Sequence, residues 1–585
     1  MLDLTEPFVL LDDARDGGAA ARLYRRPAEV MATHESAGVG PALDAVRAGV
    51  ARGRSAAGFL SYEAAAAFEP SLEPASGTTP LLWFGLFDGW ESVEVATLLP
   101  DPAGARVLAP EPLIARDAYD RRIAAVLDLI AAGDMYQANL TFQAAVKFLG
   151  DPLALYAAVR ARAAAGWGGI VWTGAALILS FSPELFFALD AGAITCRPMK
   201  GTARRGATAA ADARAAEELA ADPKQRAENL MIVDLLRNDL SRVAAPGSVK
   251  VPELFTVERY PTVLQMTSTV TSRLAEGMDA VDLLAAAFPC GSITGAPKLR
   301  AIAALREIEG LPRGVYTGSI GRIDAPGALG GSAQFNVAIR TLTVHDGAAT
   351  MGLGGGIIAD SRADEEWDEA LAKGAFLTAG QRRVDLIETM RFDPLEGIAL
   401  LERHLERMRA SAAALGFDFD RHHARNELQA ATFRLREARR VRLLLSEAGR
   451  IAIEVAPMPA KVAGMEAAIV PLPVASTDWR LRHKSSDRRF YDDARARAGT
   501  AEVVFEDGDG FLTEGSFTSI FVERDGVLVT PPLARGLLPG VLRGELIEQS
   551  RAVEGELTGS DLRHGFLLGN ALRGLLPATI GSRAG

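Results

Sequence analysis

The stretch ELFFALDAGAITCRPMKGTARRG, residues 184–206, poses a structural and a chemical question together. Its first part is two apolar runs either side of Asp190–Gly192, a hairpin-like pattern of adjacent strands. Similar runs, LLWFGLFDGW (81–90), AALILSFS (175–182) and AQFNVAIRTLTV (333–344), alternate with helical stretches at 118–132, 152–165, 209–221, 223–243, 278–288 and 297–308. That mixture predicts an α+β fold of antiparallel sheets with helices outside. The helix from 223 has a defined start, with Asp222 as N-cap, Pro223 at the first helical position and Gln225 completing a capping box. The last part of the stretch sets Lys200 among Arg197, Arg204 and Arg205. A solvated surface loop accounts for such a composition. An amine crowded by positive charge, however, gives up its proton more readily and can act as a nucleophile.

The chain has 585 residues, too many for one ordinary core. The expected domains are 1–378 and 383–585, the second opening with the strand VDLIETMRF (384–392) and the amphipathic helix IALLERHLERMRASAAAL (398–415). Net charge is 63 − 74 = −11, which gives nonspecific nucleic-acid binding no electrostatic support. The first residues, MLDLTEPFVLLDDARDGG, lack a basic segment followed by an apolar run and do not read as a signal peptide. No apolar run reaches the roughly 18–20 residues of a membrane helix; GGIVWTGAALILSF (168–181) reads as two paired strands. The only cysteines, Cys196 and Cys290, form no disulfide framework and fit a reducing compartment. A soluble, cytoplasmic protein with no nucleic-acid and no membrane partner is expected.

Two acidic helices carry further chemistry. Glu228 shares a helical face with Met231, Ile232 and Leu235, where a carboxylate needs a cation or a proton. Glu366, Glu369 and Lys373 share another face, and an ordinary surface pair accounts for Glu369 with Lys373. Facing each other, the two helices could instead hold Mg²⁺ through a pair of carboxylates. The run GLGGGIIAD (352–360) is either a tight turn or a backbone able to offer N–H groups to an anion.

In order along the chain, GDMYQANLTF (133–142), SPELFF (182–187), PMKGTARRG (198–206), AENLMIVDLLRNDLSRV (227–243), PCGSITGAPKLRA (289–301), YTGSIG (316–321), FNVAIRT (335–341) and GGGIIADS (354–361) resemble the chorismate-using enzymes. That family comprises anthranilate, aminodeoxychorismate, isochorismate and salicylate synthases, and the resemblance covers about 55–378. Isochorismate and salicylate synthases use a lysine base where this chain has Gln137; anthranilate synthases carry alanine where it has Lys200. The resemblance therefore points to the aminodeoxychorismate branch. It implies that Lys200 attacks carbon 2 of chorismate, that Glu184 protonates the hydroxide leaving carbon 4, and that ammonia then enters there. It also implies Mg²⁺ on Glu228 and Glu369 with Glu366 beside them. Thr294, Tyr316, Arg340, Gly354, Gly355, Gly356 and Lys373 would hold the substrate. Arg197, Arg204 and Arg205 are expected to help Lys200 lose its proton. Gln225 departs from an acidic residue often found there.

In the second part, Lys484 alone would be called a solvated basic residue. HKSSDRRFYD (483–492) with LTEGSFTSIFV (512–522) nevertheless resembles fold-type IV pyridoxal-phosphate enzymes over about 385–580, an α/β fold that includes aminotransferases and aminodeoxychorismate lyase. The segment EDGDGFLTEGSF reads as a hairpin and LLPGVLRGEL as a turn into a helix whose N-terminus suits phosphate. By the resemblance, Lys484 forms the Schiff base with pyridoxal phosphate and Glu514 pairs with the ring nitrogen. Arg407 and the backbone at Val541–Leu542 hold the phosphate, with Asn570 near the same loop. Leu542 replaces a threonine frequent there.

The two resemblances fit one sequence of reactions, chorismate to aminodeoxychorismate and then to 4-aminobenzoate and pyruvate. The alternatives are a second domain that is an amino-acid aminotransferase, a second domain that is a noncatalytic module, and an anthranilate synthase component. No glutamine amidotransferase domain is visible, so a separate glutamine amidotransferase subunit or free ammonium is expected as ammonia source; lyase relatives are commonly dimers, which leaves a homodimer open.

Overall fold

A computed structural model describes residues 2–260, 263–327 and 330–581. It divides into two compact units. The first comprises Met1–Pro100, Ala109–Phe148 and Tyr156–Ala379; the second comprises Asp101–Leu108, Leu149–Leu155 and Gly380–Gly585. The last residues of the second expected domain, 582–585, lie outside the described residues.

Two ten-stranded sheets build the first unit. Their facing sides share a core of Val9, Tyr24, Val171 and Ile178 from one sheet and Phe59, Trp83, Phe87 and Ile320 from the other. Helices Ser36–Ala51 and Pro223–Ser241 cover a larger core around Phe84, Phe186, Phe187 and Phe335. The hairpin forms with Leu185–Asp190 against Ala193–Arg197, and GGIVWTGAALILSF pairs as expected, Gly169 opposite Ser180. AQFNVAIRTLTV is not one strand: Gly330–Asn336 lies in one sheet and Thr341–His345 in the other. The chain crosses between them at Val337–Arg340, and Arg340 takes φ +50° to do so. Asp222 caps its helix through the amides of Lys224 and Gln225, but the Gln225 side chain packs over Gly201 rather than closing a capping box.

In the second unit, a four-stranded antiparallel sheet centred on Leu386–Asp393 and Arg439–Leu445 packs on the helix Leu401–Leu415. An eight-stranded mixed sheet follows, with Met465–Pro471 parallel to Glu502–Glu506 and the expected hairpin Glu502–Glu506/Leu512–Gly515 at its edge. The early segment Asp101–Leu108 belongs here because Trp479 Nε1 donates to Ala103 O at 3.0 Å, and Arg106 lies over the rings of Phe417 and Trp479.

A buried ion pair fixes the part of the first unit that carries its site. Arg313 donates to Glu309 through Nε and Nη2 at 2.8 and 2.7 Å, to Asn139 O at 2.7 Å and to Ile293 O at 3.1 Å. Glu309 Oε1 also accepts from Thr141 N and Oγ1 at 2.7 and 3.0 Å. Removing one partner strands a buried charge, so Glu309→Ala is expected to destabilise the first unit by about 3–5 kcal/mol. Guanidinium unfolding of the full chain checks this; the double change Glu309→Leu/Arg313→Met should restore much of the loss, and a single-variant loss below about 1 kcal/mol would contradict it.

Candidate active sites

Lys200 stands on the strand Met199–Arg204, whose register against Val263–Arg273 shifts between Met199 and Thr202. Gly201 at φ +99° lies within that shift, a conformation suited to glycine. The arginines do not surround Lys200 as expected. Arg197 pairs with Glu258 at 2.8 Å, Arg205 pairs with Asp212 at 2.6 Å, and Arg204 is exposed. Burial is the main force lowering the Lys200 pKa; Glu228, whose Oε2 is 3.8 Å from Nζ, opposes it and Lys373 adds to it. The cationic neighbour is a lysine from another helix.

Glu184, 3% exposed, accepts from Ser292 Oγ at 2.8 Å through Oε1. Burial pushes its pKa up to about 7, against the stabilising donors Ser292 and Met199 N–H and the charge of Lys200. A carboxyl so placed keeps a proton near neutrality.

The glycine run is not a turn. Ala348–Ile357 is a continuous strand against Gln137–Val146, with Gly354, Gly355 and Gly356 opposite Thr141, Leu140 and Asn139. A Cβ on Gly355 would lie 3.2 Å from Glu366 Oε2 and 3.3 Å from Lys373 Nζ; one on Gly356 would lie 2.6 Å from both Lys200 Nζ and Gln137 Nε2. Bare backbone is what lets the acidic helix Ala363–Gly374 and Lys200 close over this strand. On that helix Lys373 Nζ bonds Glu369 at 2.8 Å and Gly354 O at 2.9 Å, and Ser361 Oγ donates to Glu366 at 2.6 Å. Burial raises the Glu366 pKa; at Glu369 burial acts the same way, but Lys373 outweighs it and the net shift is downward.

Among the described residues, no three acidic, histidine or cysteine side chains form a metal cage. Glu228 and Glu369 nevertheless both act electrostatically on Lys200. A pair of carboxylates suits Mg²⁺, which keeps water or substrate at its other positions, so the donor set fits an open site and not a closed one.

The remaining expected ligands divide. The Arg340 guanidinium lies 5.6 Å from the Phe376 ring centre, burial lowers its pKa, and among the described residues no carboxylate pairs with it. It is free to take a substrate carboxylate. The Tyr316 ring covers Gly352, where a Cβ would fall 1.8 Å from it, and burial pushes the phenol up to about 12. Thr294 is fully buried and its hydroxyl donates to Gly291 O at 3.1 Å and Cys290 O at 3.3 Å, holding its own turn.

In the second unit, Lys484 O accepts from Ile387 N at 2.8 Å, tying the lysine segment to the strand Leu386–Asp393. Burial brings the Lys484 amine down to about 7, with Glu388 opposing and Arg407, Arg488 and Arg442 adding. Arg407 grips Glu388 through Nε and Nη2 at 2.8 and 2.7 Å and donates to Pro539 O at 3.1 Å. That contact puts it next to Gly540, the N-cap of the helix Val541–Glu548. The Leu542 side chain packs with Phe521 and Leu546, so only its amide can serve a ligand. Glu514 accepts from Tyr491 OH at 2.5 Å, and burial pushes its pKa up to about 7. Asn570 holds its own loop: Oδ1 accepts from Leu572 N and Arg573 N at 3.0 and 2.9 Å, and Nδ2 donates to Phe517 O at 3.2 Å.

A half-buried amine with no ion pair among the described residues, an arginine at a helix N-terminus and a buried carboxyl of raised pKa together fit pyridoxal phosphate: aldehyde anchor, phosphate cradle and ring-nitrogen partner. Several supporting residues escaped the sequence reading. Glu388 was legible, being a carboxylate on the apolar face of Leu386 and Met390. Ser292, Tyr491 and Glu502 were not, since nothing local marks them. Glu502 is fully buried and binds Ser516 N, Phe517 N and Thr518 Oγ1 at 2.9, 3.3 and 3.0 Å, fixing the loop after Glu514.

Comparison with known proteins places residues 7–379 in a family described as chorismate binding enzyme and residues 385–580 in one described as amino-transferase class IV. Aminodeoxychorismate synthase component 1 of Klebsiella aerogenes is 43% identical over 260 residues, 44% of this chain and 57% of that protein. Anthranilate synthase component 1 of Streptomyces coelicolor is 41% identical over 266 residues, 45% and 51% of the two chains. The matched region spans little more than half the length of these relatives. The crystal structure of anthranilate synthase component I from Streptococcus pneumoniae superposes with TM-score 0.52 at 24% identity, covering 65% of this chain and 93% of that one, and shares the fold.

Glu388 also generates a prediction about acid stability. Burial opposes its ionisation, but Arg407 and His404 outweigh burial and hold its folded pKa well below the ordinary carboxylate value. Stability from this group is therefore complete above the unfolded value of about 4.3 and is lost as pH falls toward the folded one. Denaturant midpoints of the second unit should fall between pH 5 and 3 with a smaller slope in Glu388→Gln; equal slopes would contradict the assignment.

Proposed function

The chain belongs to the chorismate-binding enzymes, and from that premise we propose that it makes 4-aminobenzoate from chorismate in two steps, one in each unit. The observation that carries the first step is Lys200, a half-buried amine of lowered pKa with Glu184 and Glu228 acting on it. Relatives of both amine-adding kinds match to a similar degree, so the choice rests on Lys200, where the anthranilate branch has alanine.

In the proposed first step, neutral Lys200 forms a C–N bond at carbon 2 of the ring. The double bond shifts, and the carbon 4 hydroxyl leaves as water with the proton of Glu184. Ammonia then bonds carbon 4 and the lysine amine departs from carbon 2. The sum is chorismate plus ammonia giving 4-amino-4-deoxychorismate plus water. Arg340 and Lys373 would bind the carboxylates, with Tyr316 and the glycine strand shaping the pocket; Glu228 and Glu369 would hold Mg²⁺, which offsets the charge of the ring carboxylate. The ammonia would come from a separate glutamine amidotransferase subunit or from free ammonium.

In the second unit, bound pyridoxal phosphate would supply an electron sink for the bond broken as pyruvate leaves. Lys484, whose amine burial brings down to about 7, would anchor its aldehyde and could take and return a proton near neutrality. Glu514, steadied by Tyr491, would pair with the ring nitrogen, and Arg407 with the amides of Val541 and Leu542 would take the phosphate. Aminodeoxychorismate yields 4-aminobenzoate and pyruvate with no other reactant. The amino-transferase match also supports a second reading, amino-group exchange between an amino acid and a keto acid.

Purified protein with chorismate, Mg²⁺ and ammonium should give 4-aminobenzoate and pyruvate only when pyridoxal phosphate is present. Lys484→Ala should lose the visible absorbance of bound cofactor and stop at aminodeoxychorismate; keto-acid exchange in place of pyruvate release would favour the second reading, and anthranilate as product would overturn the first step. The first-step rate should fall as pH rises past about 7, because Glu184 is needed protonated. Ser292→Ala removes a donor to its carboxylate and should move that limb to higher pH; an unmoved limb would assign it to another group.

A further inference from the structure

Glu388 touches none of the groups proposed to react, yet both of its oxygens are engaged. It is 1% exposed, on the same strand face as Leu386 and Met390. Oε1 accepts from Arg407 Nε, and Oε2 accepts from Arg407 Nη2 and from His404 Nδ1 at 2.6 Å. His404 and Arg407 lie three residues apart on the helix Leu401–Leu415 and meet at one carboxylate. Because an ionised carboxylate only accepts, the His404 proton sits on Nδ1, and burial keeps the ring neutral. Nothing else bonds that ring: Nε2 is buried with no partner among the described residues.

The pair with Glu388 does not consume the guanidinium. Here three N–H groups of Arg407 are engaged, two on Glu388 and one on Pro539 O, out of about five that a guanidinium carries. The remaining donors belong to an arginine pinned beside Gly540, where the first amides of the helix Val541–Glu548 have no partner within the helix. Glu388 also balances the charge of Arg407 before any anion arrives. We infer that Glu388, steadied by His404, is a positioning residue that aims Arg407 at the phosphate of the cofactor. The inference rests on the pyridoxal-phosphate reading above. Its physical basis is that the arginine's freedom is given up on folding and not on binding, so the phosphate meets a donor already in place.

Such a role predicts selectivity for the phosphate. Full-length protein freed of cofactor is titrated with pyridoxal phosphate and, separately, with pyridoxal, following the absorbance of the bound ring. Glu388→Gln is expected to weaken pyridoxal phosphate by about tenfold or more while pyridoxal changes less than about twofold. Arg407→Gln sets the scale, and Glu388→Gln should add little in that background. If Glu388→Gln fails to fold, His404→Gln loosens the same carboxylate and should show a smaller loss with the same selectivity. Equal loss for both ligands would mean a general structural role, and an unchanged affinity for pyridoxal phosphate would remove the role altogether; either overturns the inference. Wild-type protein that takes up neither ligand would instead overturn the cofactor reading on which it rests.

Discussion

Keeping a lysine amine out of water is the constraint on which both sites depend. An ammonium in a poorly solvated place is relieved by losing its proton, and only the neutral amine can attack a ring or an aldehyde. Each unit lowers the amine's pKa by a different arrangement. Around Lys200 the enclosure comes from a strand shift at Gly201, the bare backbone of Gly356 and the acidic helix, with Glu228 limiting how far the pKa falls. Around Lys484 it comes from a sheet edge and a group of arginines, with Glu388 as the opposing charge. Both lysines thus sit between a burial that discharges them and a carboxylate that recharges them.

The same physics assigns the carboxyls. Glu184 and Glu514 are both raised to about 7 by burial, yet the donors around them differ. Ser292 and an amide hold Glu184 beside Lys200, where a proton can be given away. Tyr491 and Arg488 hold Glu514 where a protonated ring nitrogen would bring the carboxylate form back. Glu388 takes the opposite course, ionised throughout because Arg407 and His404 meet it directly.

Much of this was legible in the sequence because it is carried by local pattern. The hairpin at 184–198, the capped helix from 222 and the turn into the helix at 541 follow from alternation, capping chemistry and proline placement. The motif residues Lys200, Glu184 and Lys484 could be named because their segments resemble known families. What stayed hidden depends on contacts between distant segments. In AQFNVAIRTLTV the alternation changes phase at Arg340–Thr341, but which sheet each half joins is set by what it pairs with. The arginines near Lys200 looked like its neighbours because sequence distance cannot show a register shift that turns them away. Nor does sequence show that the side chains of Asn570 and Thr294, expected near ligands, also bond the backbone of their own turns.

A bond from Lys200 to the substrate ring is read directly by intact-protein mass spectrometry. Protein held with chorismate and Mg²⁺ but no ammonium, then quenched in acid, should gain the mass of chorismate less one water, and peptide mapping should place the addition on Lys200. The account predicts that the addition vanishes in Lys200→Ala and on supplying ammonium. Wild-type protein that forms aminodeoxychorismate with ammonium, yet carries no addition on Lys200 without it, would contradict the account.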